Sequence, residues 1–402
     1  MKSTKQLFTF LAVLMAFVLA LQVNAQEFIK GKVIDSDKKG VSFANIVLTS
    51  NYKGTTTNLY GDFELKFSSN QVNDTIRITA VGFEPLFIRV NQYVGKEAIL
   101  TMKKAQFNLD KVTIQAKSLF YYTILKRAAN KAQNNYINGS LLSAAYYRSK
   151  RVENNSTTSE RQAALNIYDA KGYDKQHVKT AFADIGYAFT QVKRNFEVAS
   201  LLSGSTNLDE ILEFDIVRTP HNILHTDTTH FIDNFNVKLE KVIEQNKEKI
   251  WVISYKCLQP NLALTGDYYV SSYKGKIYIN QKDYAVLKNE LEVEATNYSN
   301  LGRSVYADAK TQERKAVSIQ YKVTTNYEKQ GKYYVLKSIS YARNNKWKDN
   351  NSGRMVLETT TTDLMINSTN TNNPKPIKER QYFEEIPFDA AFWEKYNFIK
   401  DE

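Results

Sequence analysis

Apolar and polar residues alternate with a period of two through most of this chain, the spacing that puts every second side chain on one face of a strand. Between residues 27 and 104 the alternating runs are short. They are Phe28-Ile29-Lys30-Gly31-Lys32-Val33-Ile34, Val41 to Leu48, Phe63/Leu65/Phe67, Asp74 to Thr79, Leu86 to Val90 and Ala98 to Met102, with Gly, Asp and Asn between them. This pattern predicts a small β-sandwich. Gly54 and Gly61 are expected at tight reversals that need positive φ. From Val237 onward the alternation returns in longer runs: Ile277 and Ile279, then Leu287, Leu291 and Val293 against Lys288, Glu290, Glu292 and Glu294. Val317, Ile319, Tyr321 and Val323 alternate with Ser318, Gln320 and Lys322, and Glu328-Lys329-Gln330-Gly331 reads as the turn before Val335, Ile339 and Tyr341. Apolar-in, polar-out alternation predicts an antiparallel sheet with one wet face.

Residues 105–117 read as a linking strand, and 118–136 as a helix. Ser118 stands at its cap position, and Tyr121, Leu125, Ala128, Ala132 and Tyr136 recur at three- and four-residue spacing. Asn154 to Ser159 reads as a polar loop, and 161–235 mixes short helical and strand patterns. Pro374-Lys375-Pro376 ends the sheet pattern, leaving an aromatic tail (374–402) whose Trp393 and Phe398 are expected to pack on the sheet. The fold class is therefore mainly β with some α. An N-terminal β-sandwich (27–104) precedes an α+β domain built on a curved antiparallel sheet (118–373).

Lys2 and Lys5 precede an uncharged apolar run from Leu7 to Leu21, and small residues lead to Ala25. This describes a secretory signal peptide (1–25), and the run is shorter than the about 20 residues that span a bilayer. No later segment is apolar enough to cross a membrane as a helix, so an exported chain, periplasmic or peripheral to the outer membrane, is expected. The one cysteine, Cys257, rules out an intramolecular disulfide; it shares an alternating face with Trp251, Ile253 and Tyr255 and reads as a buried thiol. Formal charge is +12, or +10 without Lys2 and Lys5, and it is uneven. Lys103 to Arg151 carries ten basic residues against the single acid Asp110. Lys126, Arg127 and Lys131 fall to the polar side of the expected helix and are the candidates for meeting an anionic lipid surface or an acidic envelope protein. An exported chain rarely meets nucleic acid, so none is expected.

The 28–103 stretch, with Gly54-Thr55-Thr56-Thr57-Asn58-Leu59-Tyr60-Gly61-Asp62-Phe63 at its middle and Thr79-Ala80-Val81-Gly82-Phe83-Glu84-Pro85 near its end, resembles the carboxypeptidase-regulatory-like domain. That is a transthyretin-like sandwich at the front of many Gram-negative envelope proteins. The family usually has aspartate where this chain has Asn58, which keeps the side-chain-to-backbone turn bond without the charge. Leu109 to Ile114 resembles the short strand that follows the module in outer-membrane receptors, although too few residues remain for their barrel. Gly275 to Lys288 resembles the strand-turn-strand unit of periplasmic lipoprotein-carrier-like half-barrels. These resemblances imply compartment and architecture and are nearly silent on activity.

A zinc carboxypeptidase needs a His-x-x-Glu pair plus a distant histidine, and none of the four histidines begins such a pair. His221, His225 and His230 cluster with Asp227 and Asp233 and are the only metal candidates. Pro220 and Thr226-Asp227-Thr228-Thr229 argue for a loop there, so no metal is expected. No nucleophile elbow, phosphate loop or dinucleotide fingerprint occurs, so no cofactor and no catalytic residue are assigned. The reading is a non-enzymatic cell-envelope binding or accessory protein. The alternative is an exported hydrolase with its carboxylates or histidines in the C-terminal domain.

Overall fold

The computed structural model describes residues 26–108, 117–174, 185–198, 206–219, 221–226, 231, 233–267, 269–295, 314–377 and 383–400. Residues 1–25, read above as a signal peptide, Leu109 to Ile114, His230 and the side chain of Ser118 lie outside them.

The sandwich comes first. β1 (Gln26–Ile34) lies between β4 (Asp62–Ser68) and β7 (Glu97–Thr101) in a three-stranded sheet. Facing it is a four-stranded sheet in the order β3 (Gly54–Thr56), β2 (Asn45–Leu48), β5 (Thr75–Thr79), β6 (Leu86–Arg89). Ile29, Val33, Ile46, Phe63, Leu65, Ile76 and Ile78, every second residue of their strands, are buried between the sheets. Gly61 has φ +87°, as its turn requires. Gly54 departs from the expectation. It is a strand residue opposite Val47, and a Cβ there would stand 1.9 Å from the Ile46 carbonyl oxygen, so close strand approach rather than a reversal demands glycine. Asn58 makes the anticipated turn bonds, its Oδ1 accepting from the Tyr60 and Asp62 amides at 3.0 and 2.9 Å.

The rest of the described chain is one curved, open antiparallel sheet. Its ten long strands are β9 (Leu141–Glu153), β10 (Ser156–Asp169), β11 (Ile185–Glu197), β12 (Phe235–Gln245), β13 (Glu248–Cys257), β14 (Val270–Asn280), β15 (Val286–Ala295), β16 (Arg314–Gln330), β17 (Tyr333–Asp349) and β18 (Met355–Asn370). β12 to β18 form a meander in chain order, β18 then pairs with β9, and β9, β10 and β11 continue the sheet. The three-residue β8 (Gln106–Asn108) adds to the free edge of β12.

Three segments differ from the sequence reading. Asn154 and Asn155 form a two-residue turn with φ +47° and +70°, so the expected loop is a tight hairpin and its later residues belong to β10. Asparagine tolerates the left-handed conformation such turns impose. Residues read as mixed pattern include β10 and β11, where buried alanines and polar residues obscure the alternation. Strand β16 runs through Glu328 to Gln330, and the turn sits at Gly331, where φ is +62°.

The inner face of the sheet is covered and the outer face in part. On the inner face lie α1 (Lys117–Asn135) and the segment holding α2 (Leu208–Leu212). Tyr121, Leu125, Ala128 and Ala132 of α1, with Leu208, Ile211 and Phe214, join Ile253, Ile277, Leu291, Val323 and Ile339 of the sheet in one core. The outer face is wet at Glu294, Gln320 and Lys322, as expected, and elsewhere receives the sandwich and the C-terminal tail. α4 (Ala390–Lys395) and the residues after it bring Trp393 and Ile399 onto Tyr146, Ala164 and Met365, with Phe398 packed alongside. (The four-residue α3, Leu262–Thr265, follows β13.) Period-two patterning shows that a strand has two chemically different faces but not what lands on the polar one.

Candidate functional site

The sandwich is latched to the large sheet at two places. At one, the β12–β13 turn meets the 80–84 loop: the Gly82 amide donates to Gln245 Oε1 (3.2 Å), Gln245 Nε2 donates to the Ala80 carbonyl (3.3 Å), and the Asn246 amide donates to Glu84 (3.1 Å). At the other, the tail holds β3 and β4. Thr55 Oγ1 donates to the Phe398 carbonyl (3.1 Å), Lys66 Nζ to the Trp393 carbonyl (2.7 Å), and the Lys66 amide to Asn397 Oδ1 (2.8 Å). A cleft of about 600 Å³ opens between the outer face of the four-stranded sheet and strands β13 to β17. That volume falls within the range of small-molecule sites.

The cleft mixes paired charges, unpaired amide groups and apolar rims. Arg77 on β5 donates to Glu328 Oε1 on β16 at 2.6 Å. Lys288 pairs with Glu290 at 2.6 Å on β15. Burial pushes the Glu290 carboxyl up, but Lys288 and the Tyr278 hydroxyl outweigh it and hold the group below its ordinary value. Lys337 is 2% exposed and donates to the Ile366 carbonyl at 2.8 Å. Burial lowers its pKa, with Arg77 acting in the same sense and Glu328 opposing. Both side-chain polar atoms of Asn45, which is 6% exposed, and Oε2 of Glu328 have no hydrogen-bond partner among the described residues. Outside the cleft lining, Thr56 Oγ1 on β3 and Ser340 Oγ on β17 also have no partner among the described residues. Buried polar groups left unpaired are costly unless water or a ligand satisfies them. Phe43, Leu59, Phe83 and Leu287 supply the apolar part of the lining.

A second polar cluster sits inside the sheet. Asp215 accepts hydrogen bonds from the hydroxyls of Tyr173 (2.7 Å) and Tyr327, and Arg218 pairs with Asp169 at 2.9 Å. Burial raises the Asp215 carboxyl, and the two tyrosines and Arg218 only partly oppose it. Each Asp215 oxygen already holds one tyrosine. A pocket of about 60 Å³ adjoins the cluster, too small for more than one or two waters. The arrangement pins the 215–219 turn against the sheet, and no catalytic role is assigned to it.

The histidines do not form a centre among the described residues. His221 is exposed, has φ +61°, and places Nδ1 3.0 Å from the Ala263 carbonyl. His225 is pushed down to about 4 by burial, so its imidazole is neutral at pH 7. No group of three His, Cys, Asp or Glu side chains stands within reach of one metal ion among the described residues. Lys126, Arg127 and Lys131 are all exposed on α1, and Arg127 donates to the Tyr284 hydroxyl at 2.8 Å. Lys104 pairs with Asp35 and Asp37, and Arg148 with Asp363. Cys257 is buried, and burial raises its thiol. Sequence reasoning missed Asn45, Arg77, Glu328 and Lys337. Their only sequence signal was a charge or amide on the polar side of a strand, which ordinarily faces water.

Residues 29–114 match the family model for the CarboxypepD_reg-like domain. No functionally curated protein matches the chain. Among solved structures it is similar to a DUF1329 family protein from Desulfovibrio piger ATCC 29098, at 8% identity over 65% of this chain and 96% of that one, with a TM-score of 0.27. It is also similar to lipovitellin, at 9% identity over 62% of this chain and 27% of that one, with a TM-score of 0.24. A protein of unknown function from Bacteroides fragilis NCTC 9343, described as membrane-associated, aligns at 9% identity over 86% of this chain and 98% of that one, with a TM-score of 0.16. No helix among the described residues is long and apolar enough to cross a membrane.

Proposed function

We propose that this chain is an exported, non-enzymatic accessory protein of the Gram-negative cell envelope, periplasmic or peripheral to the outer membrane, that binds its ligand between sandwich and sheet. The leader-like residues 1–25 and the regulatory-like domain support the compartment. The observation that carries the binding role is the latched cleft itself, in which Asn45 and Glu328 keep buried polar atoms without partners among the described residues. Its charges are mostly matched in pairs, so the fitting ligand is neutral. Asn45 offers both a donor and acceptor, and the rim adds an apolar face, which is the chemistry of a polyhydroxylated compound.

The test is calorimetric titration of the mature chain with a panel of neutral oligosaccharides, alongside Asn45→Leu. Binding by wild type that is lost in the variant, with thermal stability unchanged or raised, is the expected outcome. If no neutral oligosaccharide binds, or if the variant binds as wild type does, the cleft is a hydrated seam between layers and the proposed role fails.

A further inference from the structure

The sandwich and tail cover only part of the outer face of the large sheet. At the far end of β16, β17 and β18 that face is open, and it is amphipathic. Val317, Met355 and Leu357 are 52%, 48% and 53% exposed. Lys315, Lys346 and Lys348 beside them are exposed as well. Strand register places them together: Lys315 lies opposite Lys348, Lys348 opposite Met355, and Lys346 opposite Leu357. Val317 stands at the irregularity between Ala316 and Ser318.

The carboxylates of this end are turned the other way. Glu153 pairs with Arg314 at 3.1 Å, and Glu358 accepts from Asn345 at 2.8 Å with Arg343 3.6 Å away. Asp349 accepts from the Asn351 and Ser352 amides and the Ser352 hydroxyl. No described carboxylate is within ion-pair distance of Lys315, Lys346 or Lys348. Two lysines directly opposite each other lower the stability of a strand pair. Half-exposed Met and Leu next to them add little to the core. Folding therefore does not account for this combination, but an apolar wedge ringed by cations matches an anionic bilayer surface.

We propose that this sheet tip docks peripherally on anionic lipid, with Val317, Met355 and Leu357 entering the headgroup region and the three lysines at phosphate level. The site is separate from the cleft and from the basic side of α1.

The test is flotation of the full mature chain with vesicles of phosphatidylcholine alone and of phosphatidylcholine mixed with phosphatidylglycerol. Binding is expected only to the mixed vesicles and should fall steeply with salt. Each lysine near an anionic surface is worth roughly fivefold in partitioning, so K315Q/K346Q/K348Q should lose on the order of 100-fold. M355S/L357S should lose roughly tenfold, and K126Q/K131Q little. All these positions are exposed, so unchanged melting confirms that each variant is folded. The proposal is overturned if wild type ignores the mixed vesicles, if the lysine triple binds as well as wild type, or if binding follows Lys126 and Lys131 instead. Wild-type binding by the serine pair would remove the inserted wedge.

Discussion

Replacing Arg77 by methionine takes the cation out of the deepest ion pair of the cleft. Arg77 and Glu328 are 2.6 Å apart, with side chains 22% and 8% exposed. Unit charges about 4 Å apart attract by ~4 kcal/mol at an effective dielectric near 20, and most of that is offset by desolvation. Removing one member exposes the offset: a buried charge loses its partner, at a cost of ~3–5 kcal/mol when both are fully buried. Two features lower the figure here. Arg77 keeps some contact with solvent, and the attraction between Lys337 and Glu328 survives the substitution. The expected cost of R77M is therefore ~2–3 kcal/mol. E328Q leaves Arg77 free to reach water and should cost ~1–2 kcal/mol. R77M/E328Q removes both charges and should return to within about 1 kcal/mol of wild type, giving a coupling energy of at least ~2 kcal/mol. Urea denaturation followed in parallel by tryptophan fluorescence and far-ultraviolet circular dichroism measures this. Trp251, Trp347 and Trp393 all lie in the large sheet or the tail, so fluorescence reports that unit while dichroism reports both. A cost for R77M within about 0.5 kcal/mol of zero, typical of a surface site, would refute the reading that this pair joins the two layers.

Protonation of His225 is a second handle. Its folded pKa of about 4 lies below the ordinary 6.5, so the unfolded chain binds more protons between those values. Stability is thus retained above pH 6.5 and falls as pH drops towards 4, by up to ~3 kcal/mol from this group. The difference between wild-type and H225Q melting curves across that window should show the slope, and a flat difference would mean the ring is solvated. Separately, a fragment of residues 26–104 should fold alone, because its core of Ile29, Val33, Ile46, Phe63, Leu65 and Ile76 is drawn from within it. A disordered fragment by circular dichroism would show that the large sheet is required.

Local chemistry made much of the architecture readable. Strand alternation in β14 to β17, the recurrence of Tyr121, Leu125, Ala128 and Ala132 along α1, and the Asn58 turn follow from interactions within a few residues, which a linear pattern records directly. The buried setting of Cys257 was legible for the same reason: its neighbours share its face. Where two left-handed asparagines suffice for a turn, as at Asn154-Asn155, a polar run of the same composition looks like a longer loop. Tertiary structure alone decided that the sandwich covers part of the polar face. Arg77 and Glu328 are 251 positions apart, and Thr55 meets Phe398 across 343. Nothing in either neighbourhood distinguishes a strand residue that faces water from one that faces another sheet, since both are polar and both keep the period of two. The cleft arises from that docking, in which two layers meet through side chains each of which, read singly, belongs in solvent.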